Sequence, residues 1–352
     1  MEIRAARPGE RDQVLDLLAL WYNDRVFFAR YNQNDPGFRD ELCLVAHDGR
    51  ALVSTVQIFD RTVNLGGQAI PMGGIGSVFT REDYRHKGVA SDLMKLAVTT
   101  MAREGFEVSL LFAERLTFYN QFGWRAVDRK FTVLSQATAI STPDDYEIDV
   151  FEPGRDLAAV SVIHRAYSGR FNVTAVRTAA AWRGSLSFAG NQPLHPGEGS
   201  EEYFVICRDA GGLSAYARVC GFYGVPMVME YGYRAGGAGA MLVLFRHFGE
   251  LAAGQPSPFR VRGDHRRSTL LRRSSDAPSV LVTHTAHDPE LEAALAAAGS
   301  PVVYHEDNNY MWRIVAPDKL GARLGMSPEA ASAHAFATFA DPRSLYWTAD
   351  RF

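Results

Sequence analysis

The sequence predicts an α/β (α+β) protein made of two successive halves on one plan, each a sheet flanked by helices, followed by a short C-terminal tail. Three observations carry that prediction. Between Gly73 and Met101 a β-prone run ending Val78-Phe79-Thr80 passes through a basic turn into an amphipathic helix. From Tyr146 the same order of strand, helix, hairpin, glycine turn and helix starts again. Between the halves, Ser135-Gln136-Ala137-Thr138 and Ser141-Thr142-Pro143-Asp144-Asp145 read as a linker.

Composition bounds the class. A chain of 352 residues can hold two or three domains and a sizeable core. Hydrophobic content of 47% and charge of 22% are ordinary for a soluble globular protein. A net charge of -3 and a pI near 6.4 provide no whole-molecule attraction to nucleic acid or an anionic membrane, so neither partner is expected. No apolar run approaches a membrane span, and Met1-Glu2-Ile3-Arg4 opens a strand rather than a signal peptide. Cys43, Cys207 and Cys220 are scattered and odd in number, as expected of small buried hydrophobes in a cytoplasmic protein. The ten histidines show neither H-x-x-x-H spacing nor cysteine pairing, so no metal is expected. A homo-oligomeric assembly is left open.

Taken in order, Met1 to Ala5 suggest a first strand, and Pro8 starts a helix with Val14, Leu17, Leu18 and Trp21 on one face. The stretch from Leu20 to Tyr31 holds Trp21, Tyr22, Phe27 and Phe28, more rings than a core helix needs. They could pack, line a pocket, or do both. Glu41 to His47 and Leu52 to Leu65 read as antiparallel strands joined at Asp48-Gly49. Gly66-Gly67 turns the chain into the strand that feeds the basic turn.

That turn is Arg85-His86-Lys87-Gly88-Val89-Ala90. Behind it Val89, Leu93, Leu96, Ala97 and Met101 recur at offsets of 4, 7, 8 and 12, one apolar face of a helix. Successive backbone N–H groups then point out of the helix N-terminus, where the dipole also favours negative charge. Gly88 removes a Cβ that would hold a diphosphate away, and Arg85 and Lys87 add positive charge. The stretch reads as an anion cradle, yet it lacks the Gly-Lys-Ser or Gly-Lys-Thr of a P-loop. Phe106 to Phe112 reads as a further strand, and Phe118-Tyr119-Asn120-Gln121-Phe122-Gly123-Trp124 as a short helix turning into another.

The second half repeats this order without repeating the sequence. Tyr146 to Phe151 stands for the first strand, and Pro153 opens a helix with Leu157, Val160 and Tyr167. Tyr203 to Cys207 and Leu213 to Phe222 form a hairpin around Gly211-Gly212. Met227 to Tyr231 lead into Arg234-Ala235-Gly236-Gly237-Ala238-Gly239 and a helix carrying Met241, Leu244, Phe245 and Phe248. Leu291 to Ala298, Gly299 and the strand Tyr310 to Val315 repeat the closing helix, turn and strand. The second glycine turn lacks a lysine beside its arginine, and no tyrosine matches Tyr119, which favours tight packing over a second anion site. The run His265-Arg266-Arg267 with Arg272-Arg273 carries no interleaved aromatics and reads as solvated surface.

The pattern R-x-x-G-x-A between strand and helix, with the aromatic-Gly-aromatic closure at Phe122-Gly123-Trp124, resembles the acyl-coenzyme A loop of the GNAT N-acetyltransferase superfamily. The resemblance implies two tandem GNAT-like domains, each a mixed, mainly antiparallel twisted sheet flanked by helices. They would span residues 1–135 (catalytic) and 146–316 (degenerate), with 317–352 a tail docking toward the first. The two-part layout, with Arg177, Trp182 and Met311-Trp312-Arg313, is similar to tandem proteins of the enhanced-intracellular-survival type, which acetylate amines such as aminoglycosides and lysine side chains. Members usually carry a sterol-carrier-like third domain, for which the sequence after Val315 is too short, and typically end in an aromatic residue whose carboxylate serves as general base. Phe352 matches that end. Glu114-Arg115 departs from the Ser-Glu those members tend to have.

What the resemblance implies is an acetyl-CoA-dependent N-acetyltransferase. Acetyl-CoA, as co-substrate, would lay its pyrophosphate on Arg85, His86, Lys87, Gly88, Val89 and Ala90 and its pantetheine along Val78, Phe79 and Thr80. Trp21, Tyr22, Phe28 and Glu114 would face the acceptor, a small-molecule amine or a lysine-containing substrate. Tyr119 would protonate the leaving sulfur, since reference phenol and thiol pKa values, about 10 and about 8.5, lie close. Phe352 would relieve the amine of its proton. Two other readings stay open: a catalytically silent acyl-CoA-binding or regulatory protein, and a tandem acyltransferase making a small thiol or amino-acid conjugate.

Overall fold

The computed structural model describes residues 1–22, 25–189, 202–222, 225–255, 258–259, 261–262, 280–282 and 286–350. The first half runs β1 (Glu2–Ala5), α1 (Arg11–Tyr22), α2 (Arg25–Asn34), β2 (Cys43–Asp48), β3 (Ala51–Leu65), β4 (Gln68–Thr80), α3 (Val89–Glu104), β5 (Val108–Phe112), α4 (Leu116–Asn120) and β6 (Arg125–Leu134). The second runs β7 (Glu147–Val150), α5 (Pro153–Ser168), β8 (Val173–Ala175), α6 (Ala179–Ala189), β9 (Tyr203–Asp209), β10 (Gly212–Phe222), β11 (Val225–Tyr233), α7 (Ala238–Ala252), β12 (Val261–Arg262), β13 (Val280–Val282), α8 (Pro289–Ala297) and β14 (Tyr304–Ile314). Helices α9 (Pro317–Leu324) and α10 (Pro328–Phe339) follow. The arginine-rich run at 265–273 lies outside the described residues.

The fold is mixed α/β, with a mostly antiparallel sheet flanked by helices. Among the described residues the strands form one sheet in the order β1-β2-β3-β4-β5-β14-β6-β13-β11-β10-β9-β7-β12, with β8 added beside β3. Parallel pairing occurs at β4 with β5, β11 with β13 and β12 with β7. The closing strands of the two halves are interleaved. β14 lies antiparallel between β5 and β6, with Tyr310 opposite Phe112 and Trp312 opposite Arg125. β6 in turn lies between β14 and β13, with Leu134 opposite Val280. Each half's sheet is therefore completed by a strand from the other, and neither can pair fully without its neighbour.

The sheet buries both faces in the first half. On one, Val89, Leu93, Ala97 and Met101 of α3 pack on Leu44, Ile58, Ile75 and Leu111. Each of these side chains except Ala97 contributes about 1.5–3 kcal/mol on full burial. Leu96 lies at the margin of that cluster, half-buried. On the other face, Leu320, Ala331, Ala335 and Phe339 of the two tail helices cover Ile70, Met72, Leu110 and Trp312. Phe339 stacks on Trp312 at 4.2 Å, and the Arg323 guanidinium holds the buried Glu107 carboxylate at 2.9 Å. In the second half α7 is apolar on almost every side and sits inside the largest core. No described helix is long and apolar enough to cross a membrane.

The corner between β1 and α1 is tied by Glu10. Its carboxylate accepts from Arg4 at 2.7 and 2.8 Å and from the Arg7 amide at 2.6 Å. The Arg4 hydrogen bond, against some desolvation, holds Glu10 down at about 2. A lowered carboxylate stabilises the fold above its unfolded value of about 4.5 and loses that contribution as pH falls toward 2. Glu10→Gln is therefore expected to cost about 2 kcal/mol at pH 7 and little at pH 2. Thermal melts at both pH values check this; an equal cost at each would detach the effect from ionisation.

All three cysteines are free and buried. Burial pushes the Cys43 thiol up to about 11 and that of Cys207 up to about 12, so neither offers a thiolate near neutral pH.

Candidate active site

The site starts from a break in strand pairing. β4 and β5 run parallel only from Met72 opposite Val108 to Ile75 opposite Leu111. β5 then ends at Phe112 while β4 continues to Thr80. An extra residue helps part them. Thr55 faces Phe79 and Gln57 faces Gly76, so Ser77 and Val78 together oppose Val56 in a bulge, with Ser77 at φ 51°. Past Ile75, no described strand pairs with the β5 side of β4. A wedge opens there, lined on one wall by backbone groups at Val78, Phe79 and Thr80 that an extended amide ligand can pair with.

Beyond Thr80 the chain makes a single 3-10 turn, Glu82–Tyr84, and reaches the basic turn. Arg85 is half-buried: its Nε lies 3.4 Å from the Thr80 carbonyl, and its guanidinium stands 5.3 Å over the Trp21 ring. The Lys87 ammonium lies 4.9 Å from the ring of Tyr84, whose hydroxyl donates to Asp48 at 2.8 Å. His86 at φ 60° and Gly88 at φ 82° curl the backbone, and Gly88 caps α3 with no side-chain bond to the helix. The amide N–H groups of residues 86 to 91 find no acceptor among the described residues. His86, Lys87 and Gly88 are exposed, whereas Val89 is buried and anchors the helix. Six amides with no acceptor among the described residues, one arginine and one lysine thus gather at one helix N-terminus, an arrangement suited to a diphosphate.

Across the wedge, α4 carries Tyr119. The ring is half-buried, edge-on to Phe118 at 4.9 Å, and belongs with Val78 and Val89 to one packed cluster. The turn after it is held from the far half of the chain. Gly123 sits at φ 87°, and a Cβ there would come within 2.1 Å of the Arg313 guanidinium of β14, which lies 5.4 Å over Trp124. Strand exchange thus props the helix that presents the tyrosine.

The remaining expected site residues divide. Trp21 is 61% exposed and lies 6.4 Å from Phe79, on the side of the basic turn. Phe28 is buried among Val14, Leu17, Leu18 and Phe79. Glu114 is exposed between β5 and α4, with no ion pair among the described residues. The Tyr22 side chain and Phe352 lie outside the described residues. Sequence reasoning missed the Ser77 bulge, for which only the neighbouring Gly76 gives a faint signal. It also missed the ion pair of Arg61 with Asp35, at 2.9 Å beside Tyr31 and Phe59.

The second half repeats the bulge, but its glycine turn is occupied. In β11 Met229 is an extra residue, because Arg218 faces Glu230 and Val219 faces Val228. Among the described residues, β11 pairs in parallel with β13 at Met227 and Val228. Arg234, however, is bound to Asp209, and Gly239 packs against Pro143 and Tyr146. The linker thereby covers the N-terminus of α7.

Residues 2–127 match the family described as acetyltransferase (GNAT) domain. No curated protein matches the chain. Among solved structures, the fold is similar to an Enterococcus faecalis protein described as a probable N-acyltransferase, with TM-score 0.65 and 16% identity over 90% of this chain and 72% of that one. Eis1 from Mycobacterium abscessus gives TM-score 0.59 and 15% identity over 92% and 75%. N-myristoyltransferase from Saccharomyces cerevisiae, solved with bound myristoyl-CoA, gives 0.53 and 11% over 89% and 78%. At such identities the likeness is one of fold. Wedge, cradle and family match coincide in the first half, where residues 2–127 are similar to the GNAT acetyltransferase domain family.

Proposed function

We propose that the chain is an acetyl-CoA-dependent N-acetyltransferase acting on a primary amine, of a small molecule or of a lysine side chain, by direct attack in a ternary complex. The observation that carries the proposal is the strand edge Val78 to Thr80 leading straight into unpaired amides flanked by Arg85 and Lys87. The edge pairs with the amides of the pantetheine arm, and the cradle takes the pyrophosphate. The amine nitrogen attacks the thioester carbonyl, the C–S bond breaks, and Tyr119 gives its phenolic proton to the departing sulfur. Phe352 is assigned the amine's proton through its terminal carboxylate, and Trp21 and Tyr22 the acceptor-side wall, which Phe28 backs from within the core. Thiol release from acetyl-CoA across a panel of amines tests the reading, with product mass identifying the bond formed. Tight acetyl-CoA binding with no amine-stimulated release would instead make this an acyl-CoA-binding module.

Glu114 is assigned a lesser part. An exposed carboxylate at the mouth of the wedge draws a cationic acceptor without touching the reacting atoms. Glu114→Gln is expected to raise KM for a cationic amine about threefold with kcat unchanged, and the effect should fade at high salt. A salt-independent change, or one in kcat, would move Glu114 into the chemistry.

A further inference from the structure

After α10 the chain turns at Asp341, whose Oδ1 accepts from the Arg343 amide at 2.7 Å, and runs on as a strap to Asp350. Its side chains alternate between the two halves. Leu345 and Trp347 enter the second-half core, with the Trp347 ring 4.8 Å from Tyr231. Tyr346 points the other way, into the first-half core, 6.3 Å from Phe112 and 6.4 Å from Trp312. Phe112 is the residue at which β5 ends and the wedge opens. The Tyr310 hydroxyl donates to the Tyr346 carbonyl at 3.4 Å, so the strap, with Tyr346 fully buried, packs beneath the end of β5 on the face of the sheet away from α3 and its cradle.

The end of the strap is fastened by charge. Arg177, with only 4% of its side chain exposed, donates from Nε to Asp350 at 2.7 Å and forks onto Glu230 at 2.8 and 2.7 Å. Glu230 is fully buried and also accepts from Tyr216 at 2.8 Å and Arg218 at 3.2 Å. Burial alone would raise this carboxyl, but Arg177 and Arg218 overrule it and hold it well below the usual range. Every member of this network except Asp350 belongs to the second half. Trp347 and Tyr346 would hold the strap down by packing alone, so the ion pair adds register: it fixes where the last turn stops.

We propose that Arg177 is a positioning residue for the first-half reaction: through Glu230 and Asp350 the second half holds the strap 344–350 in place as the acceptor-side floor of the wedge. The proposal rests on the acyl-transfer reading above, and it makes catalysis in one half depend on a residue of the other that touches no substrate. Asp350→Asn is the milder test, because Arg177 keeps its fork to Glu230. In the full-length protein it is expected to raise KM for the amine at least tenfold, with KM for acetyl-CoA and the melting temperature nearly unchanged. Carboxypeptidase should also trim its C-terminus faster. Arg177→Lys, which keeps the charge but loses the fork, should act in the same direction, and the double variant should be no worse than the stronger single. Because Phe352 ends the same strap, kcat should fall as well; a merely structural role would lower only the active fraction and hence kcat, leaving both KM values alone. That result, or an unchanged KM and trimming rate in Asp350→Asn, overturns the proposal. If the parent protein releases no thiol, the acyl-transfer reading fails while faster trimming still reports the clamp.

Discussion

Tyr119→Phe is expected to lower kcat for acyl transfer about a hundredfold while leaving acetyl-CoA affinity nearly unchanged. The substitution removes one oxygen and keeps the ring that packs edge-on to Phe118 within the cluster of Val78 and Val89. Stability should therefore hold, and any loss reports chemistry. A departing thiolate with no positioned acid must draw its proton from water, and loss of a general acid typically costs 10²–10⁴ in rate. A hundredfold corresponds to about 2.7 kcal/mol in the barrier. The loss should fall on kcat and kcat/KM alike, because the proton moves only in the transition state. Equal turnover in both proteins would return Tyr119 to packing and point to another acid in the wedge. A loss confined to KM would make it a binding group.

The parts of the fold that were legible in the sequence are those governed by local chemistry. The apolar offsets of α3 follow from helical geometry alone, and Asp48-Gly49 made a turn because Gly49 sits at positive φ. The basic turn was legible because charge, glycine and helix start fall within six residues. The interleaving of β6 and β14 was not, since both read as ordinary closing strands and nothing local tells which neighbour each will choose. The wedge depends on a bulge at Ser77, where a residue other than glycine adopts positive φ under tertiary constraint. Arg177 was noticed only by resemblance. Its partners Glu230 and Asp350 lie far along the chain, and a buried ion pair leaves no periodic trace in sequence.

Charge reversal at Arg85 is expected to weaken acetyl-CoA binding at least a hundredfold without unfolding the protein. Arg85 makes no ion pair among the described residues; it rests between the Thr80 carbonyl and the Trp21 ring, so Arg85→Glu breaks little that holds the fold. It does replace a cation by an anion beside six unpaired amides, where a diphosphate would sit. Losing a charge-assisted hydrogen bond costs about 1.5–3 kcal/mol, and the new repulsion adds to it. Since each 1.4 kcal/mol is tenfold, a sum of about 3 kcal/mol gives the hundredfold. Gly88→Val attacks the same place by shape. A Cβ there would meet no protein atom within 4 Å, so the residue would stand in the open concavity instead of in the core. Its φ of 82° adds about 1–2 kcal/mol of backbone strain, enough to lower the melting temperature a few degrees and no more. Calorimetric titration with acetyl-CoA, alongside thermal melts, separates the two effects. Native-like melts with lost binding in both variants place the pyrophosphate on this turn, whereas unchanged affinity in both removes it from the site.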